Sequence, residues 1–181
     1  LWAPFMDRIT PPLGRRRGWM FLAQLSLIAS IGALGHLDPL KQTALVAVFA
    51  CLIAFLSATQ DVAIDAYRRE ILSDEELGLG SAIHVQAYRI AGLVPGSLSL
   101  ILADVLPWVW VFWITAGFMS VGLALSLIAS EPENLSPKYQ SFRETLVTPF
   151  SEFFHRAGRR SALLALVFMV AYKLGDNMAT A

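Results

Sequence analysis

The residues able to do chemistry in this chain sit inside long apolar runs, where a polar side chain needs a reason. The first group is Ser57-Ala58-Thr59-Gln60-Asp61, followed by Asp65. Asp61 and Asp65 are four apart and share a helix face, with Ser57 one turn before them. Two carboxylates on one face repel unless cations meet them. Arg68, three residues beyond Asp65, predicts an ion-pair latch, and the arginines at 15–17 are expected on the same membrane side. That leaves Asp61, a turn deeper, for substrate or proton work, with Gln60 placed to meet a polar substrate. The second group is Arg89, preceded by His84, Gln86 and Tyr88. Eight residues into a helical span it lies about 12 Å deep, so it requires a carboxylate or an anionic ligand. Asp61 and a substrate anion both qualify. The third is Tyr172-Lys173-Leu174-Gly175-Asp176-Asn177, in which Lys173 and Asp176 are three apart and can pair. Gly92, Pro95 and Gly96 follow Arg89 and predict an interruption or a close helix contact. No His/Asp/Glu cluster has metal spacing, no nucleophile–base set is visible, and no cofactor is expected. His36 and His155 read as bystanders.

The elements carrying these groups are membrane helices. Of 181 residues 56% are hydrophobic and 15% charged, and the mean hydropathy is +0.57. A soluble domain carries about a quarter charged residues, so this chain lacks the polar surface to dissolve. About 20 apolar residues cross the hydrocarbon core. Runs over Gly18–Leu37, Thr43–Ala66, Ser81–Ala103 and Trp108–Ala129 qualify, and Ser161–Gly175 begins a fifth. The fold class expected is all-α, a polytopic transmembrane bundle. A formal net charge of zero says nothing about a nucleic-acid partner, and none is expected. Where the charges sit is more telling. Arg8, Arg15, Arg16 and Arg17 lie in the loop 7–17, Arg68 and Arg69 in 68–80, and five further basic residues in 131–160. The intervening loops hold one lysine or none. This alternation assigns loops 7–17, 68–80 and 131–160 to the cytoplasm.

Trp19, Trp108, Trp110 and Trp113 fit an aromatic belt at the headgroups. Phe142, Leu146, Phe150, Phe153 and Phe154 recur near helical spacing and predict an amphipathic helix on the membrane face. Cys51, the single cysteine, is expected to be a packed thiol; it excludes a disulfide framework. The chain starts at Leu1 with the end of an apolar segment and no signal-peptide pattern, and the last apolar segment reaches Ala181. Both ends are expected to continue in a longer protein.

Asp7-Arg8 followed by Gly14-Arg15-Arg16 resembles the Asp-Arg-x-Gly-Arg-Arg loop signature of the major facilitator superfamily, with four additional residues that include Pro11 and Pro12. A larger collinear set, Pro4 to Arg8, Leu13 to Trp19, Ala54 to Asp61, Asp65-Ala66, Tyr88-Arg89 and Tyr172 to Asp176, resembles the AmpG-type muropeptide permeases. The resemblance implies a fragment running from the end of helix 2 to helix 7. Residues 1–130 would complete the N-terminal half, 131–160 would form the inter-half loop, and 161–181 would open the C-terminal half. It further implies proton-driven import of anhydromuropeptides across the bacterial inner membrane, by a monomer when full length. The Ala58-Thr59-Gln60 stretch matches the family's functional segment in helix four. On this reading Gln60, Arg89 and Lys173 bind substrate, and Asp61 or Asp176 carries the coupling proton. Asp7, Arg8, Gly14, Arg15, Arg16, Asp65 and Arg68 form the gating loop. Rival readings are a related transporter of another cargo such as acetyl-coenzyme A, an integral membrane enzyme, and a non-transporting scaffold or sensor.

Overall fold

The computed structural model describes residues 3–132, 154–155, 158, 160–168 and 171. Among these the chain is all-α. The order is α1 (Ala3–Arg8), α2 (Arg15–Leu34), α3 (Thr43–Ile71), α4 (Leu77–Ala91), a π-turn (Val94–Leu98), α5 (Ser99–Ala103) and α6 (Trp108–Ile128). Four helices are long and apolar enough to cross a membrane, the third being the run Leu77–Ala103 with its π-turn. These are the four spans expected from hydropathy. The expected break near Gly92, Pro95 and Gly96 is the π-turn.

The span ends differ from those expected. Arg15 to Arg17 form the first turn of α2 rather than loop. Arg68 and Arg69 lie in the last turn of α3, so the loop expected over 68–80 shrinks to 72–76. The physical reason is that apolarity marks where a helix enters lipid, not where its backbone bonding stops. At 29 residues, α3 is about 43 Å long against a core of about 30 Å, so its charged end projects beyond the apolar zone. In the short loop, the N–H and hydroxyl of Ser73 both donate to the Glu76 carboxylate. Those bonds hold Glu76 below the usual carboxylate range.

Packing centres on α2, which lies against α3 on one side and α6 on the other. Its buried residues include Gly18, Ala23, Ser30 and Gly32, small enough to let neighbouring backbones close in. At Gly32 the Trp113 ring occupies the missing side chain's place, 2.7 Å from where a Cβ would stand. Deeper, the Ser126 hydroxyl donates to Gln24 Oε1 at 2.9 Å, a buried bond between α2 and α6. At the far end Trp113 Nε1 donates to His36 Nε2 at 3.1 Å. His36 is therefore a hydrogen-bond partner in the α2–α6 contact, and Trp113 does more than anchor a belt.

The third span is different. No residue of α4 is buried, and Leu79, Ile83, Ile90 and Leu93 all face outward. Cys51, expected to be packed, is exposed on α3. Apolar side chains facing outward are what lipid or further membrane helices solvate. The residues from Ser136 onward form a separate compact unit, in which 160–168 is helical where the fifth span was expected to begin. Most of the expected amphipathic helix over 142–154 lies outside the described residues.

If small residues set the α2–α6 distance, Gly32→Leu should destabilise the bundle by about 1–3 kcal/mol through overpacking. Gly117→Leu, where a Cβ meets nothing within 4 Å, should melt like the parent. Thermal unfolding in detergent compares them, and equal losses would remove the packing argument.

Candidate functional site

Three arginines open α2, where the helix dipole is already positive, and the first turn holds no acidic residue. Such a start is unfavourable unless carboxylates are brought in. Three are. Glu70, on the last turn of α3, accepts from Arg15 Nη2 at 2.9 and 3.0 Å and from Arg16 Nη2 at 2.6 Å and Nε at 3.1 Å. Asp7, at the end of α1, sits 3.3 Å from Arg15 Nη1 and 2.7 Å from Arg16 Nη1. Glu131, just beyond α6, accepts from the backbone N–H groups of Arg16 and Arg17 at 2.8 and 3.0 Å. That carboxylate is the helix cap. Gly14 makes room for it: its φ is +110°, and a Cβ there would stand 2.6 Å from the Glu131 carboxyl. Arg17 returns the interaction, donating to the carbonyls of Ser126 and Leu127 at the end of α6. The loop 7–17, the end of α3 and residue 131 therefore meet at one end of the bundle, as the loop charges required.

The extra residues between Asp7 and Gly14 do not pull Asp7 away. The Pro11 ring rests on α2 at Gly18, 2.6 Å from where a Cβ would stand, and Gly14 N–H donates to the Pro11 carbonyl at 3.0 Å. Trp19 Nε1 donates to the carbonyls of Met6 and Ile9, at 3.0 and 2.9 Å, closing the C-terminal end of α1. Met6 is fully buried with Met20 and Ala63, and Trp19, Val62 and Tyr67 pack around them. Trp19 is thus a clamp on the segment bearing Asp7, a role beyond the belt position expected of it. The roles of Glu70 and Glu131 went unread in the sequence. The signal for Glu70 was available: it follows Arg68 and Arg69 as an acid at the end of a helix that returns to the arginine side.

The expected latch is present, with Arg68 Nη2 donating to Asp65 at 2.9 Å, and Arg69 pairs with Asp74 at 3.1 Å. Asp61 is not met by Arg89 or by the arginines of α2. It makes no ion pair among the described residues; its electrostatic neighbours are Asp65 and His84 of α4. Arg89 is exposed and likewise has no carboxylate within ion-pair distance among them. Of the two partners open to Arg89, Asp61 is therefore not met, both side chains being exposed on their own helices. Gln60 has a buried side-chain carbonyl without a donor among the described residues. Its neighbour Thr59 is buried and donates to the Phe55 carbonyl at 2.8 Å, a back-bond within its own helix. Arg8 ends α1. Lys173 and Asp176 lie outside the described residues.

The sequence pattern of the Major Facilitator Superfamily matches residues 1–178. The chain belongs to that superfamily. A protein of Haemophilus influenzae described only as uncharacterized is 51% identical over 99% of this chain and 43% of its own length. The anhydromuropeptide permease of Escherichia coli K12 is 42% identical over 99% of this chain and 36% of its own length. A Rickettsia conorii protein bearing the name AmpG 4 is 29% identical over 98% of this chain. The chain thus spans about two fifths of the length of the first two relatives. Superfamily membership and four apolar helices make it a multi-pass membrane protein.

Within this superfamily member the carboxylates around α2 should not weigh equally. The Glu70 side chain is 13% exposed and Asp7 40%. Glu70→Gln leaves two desolvated guanidiniums short of charge and should cost about 3 kcal/mol. Asp7→Asn, nearer water, should cost under about 1 kcal/mol and be masked by high salt. Denaturant unfolding of the two variants at low and high ionic strength checks the order.

Proposed function

We propose that this chain is part of a proton-coupled importer of anhydromuropeptides across the bacterial inner membrane, with loops 7–17, 68–80 and 131–160 in the cytoplasm. Residues 1–130 belong to its N-terminal half, 131–160 to the linking loop and 161–181 to the start of the C-terminal half. The cargo is supported by the likeness to the Escherichia coli anhydromuropeptide permease. One observation carries the site. Arg15 and Arg16 at the loop end are ion-paired with Asp7 and Glu70, whereas Asp61 and Arg89 make no ion pair among the described residues and the buried Gln60 side-chain carbonyl has no donor there.

A muropeptide offers complementary groups. Its stem-peptide carboxylate suits Arg89 as a forked donor. Its amide N–H and sugar hydroxyls suit the orphan Gln60 carbonyl, since an acceptor buried without a donor costs about 1–3 kcal/mol until one arrives. Asp61 takes the coupling proton on the outward side and releases it inward, with His84 as the nearest titratable group on α4. Lys173 and Asp176 supply the same pair of functions from the second half. Alternating access then amounts to opening and closing the Asp7–Arg15–Arg16–Glu70 cluster at the cytoplasmic rim, beside the Asp65–Arg68 latch.

Uptake of labelled anhydromuropeptide into vesicles, by the intact permease carrying this segment, tests the assignment. Gln60→Leu should raise KM about tenfold, the worth of one good hydrogen bond at a desolvated site. Asp61→Asn should abolish accumulation driven by a proton gradient yet retain exchange of internal for external substrate. Normal kinetics in both variants would sink the reading. Transport of acetyl-coenzyme A in place of the muropeptide would transfer the site to another cargo.

A further inference from the structure

The third span breaks its helix at one place, and the break is held by two hydroxyls. Pro95 has no N–H, so the Ala91 carbonyl four residues earlier loses its α-helical donor. The backbone answers with the π-turn Val94–Leu98, in which Ser99 N–H bonds to the Val94 carbonyl, five residues back. The Ser99 hydroxyl donates to that same carbonyl at 3.0 Å. It also lies 2.9 Å from Thr115 Oγ1 on α6. With the single Ser99 proton committed to Val94, Thr115 is the donor of this second bond and Ser99 its acceptor. Ser99 is buried, although Leu100, Ile101 and every residue of 85–93 are exposed.

We infer that Ser99 is a positioning residue: with Thr115 it holds the π-turn that sets which face of the third span Arg89 presents. A π-turn admits one residue more than an α-turn, and each residue of an α-helix advances about 100° around the axis. Reverting the turn to α geometry therefore swings Leu77–Ala91 by about that angle relative to Ser99–Ala103. Arg89 stands two turns or fewer from the joint and moves with it. Thr115 ties the C-terminal part to α6, which is itself fixed to α2, so the rotation falls on the N-terminal part. That part has few contacts to resist it, since no residue of α4 is buried. The inference rests on the proposed binding role of Arg89 for its effect on transport, but the joint itself does not.

The test uses the intact permease in membranes, with Cys51→Ser and single cysteines placed in turn at positions 85–91, labelled by a water-soluble maleimide. Ser99→Ala and Pro95→Ala should each shift the labelled face by one residue. Ser99→Thr, which keeps the hydroxyl, should preserve the parent pattern. Thr115→Val, nearly isosteric, covers the case in which Ser99→Ala fails to insert, and should shift the pattern in the same direction. The joint loses about fivefold in equilibrium constant per hydrogen bond, so KM for labelled anhydromuropeptide should rise by up to about fivefold as the competent population falls. Unchanged labelling in inserted Ser99→Ala or Thr115→Val protein overturns the inference. A shifted pattern with unaltered KM upholds the joint and removes Arg89 from the binding site.

Discussion

Three consecutive arginines at the positive end of a helix dipole are the constraint on which the rest of this bundle depends. No local sequence could relieve it, because the first turn of α2 offers no acid. Relief comes from three separate segments: Asp7 from α1, Glu70 from the end of α3 and Glu131 from beyond α6. Each carboxylate fixes one neighbour of α2 in place. The central position of α2, between α3 and α6, follows from the same chemistry that neutralises it. Arg17 closes the circuit by capping the carbonyls at the end of α6. Two antiparallel helix ends thus satisfy each other's orphan groups.

Saturating the rim has a consequence in the membrane interior. Because the α2 arginines are committed, they are not available to Asp61, and Arg68 is committed to Asp65. The polar groups that remain lie on the second and third spans. Buried polar groups in a bilayer are retained where they meet one another, water or a ligand. Under the proposed function the division of labour is spatial: a charged cluster at one end to hold or release, and a sparser set within the spans to bind. The third span suits the second task, since it is lightly packed and carries a π-turn between Arg89 and its tether on α6.

The loop joining α1 to α2 shows how an insertion is absorbed without displacing Asp7 from the arginines. Four residues beyond the superfamily's spacing could have carried Asp7 out of reach. Pro11 lies against Gly18, Gly14 turns with positive φ, and Trp19 binds both carbonyls at the end of α1. Buried Met6 pins the segment from below. The tryptophan acts through Met6 and Ile9 on Asp7, and its ring packs against Met6, Met20 and Ala63.

Composition and spacing alone determined that the chain is helical, that it crosses a membrane four times in its described part, and which loops share a side. These are properties of solvation: lipid accepts only apolar runs of sufficient length, and charge decides which ends stay in water. The Asp65–Arg68 pair was legible for the same kind of reason, being local on one helix. Helix ends at Arg15 and Ile71 were not legible, because charged residues continue a helix beyond lipid without changing its hydrogen bonding. Long-range partners were scarcely legible either, the acid at the arginine end of α3 being the one such signal. Glu70 and Asp61 are nine residues apart on one helix, yet the first meets two arginines and the second none. Only the packing of α3 against α2, set by small residues and by the needs of a cationic helix start, decided between them.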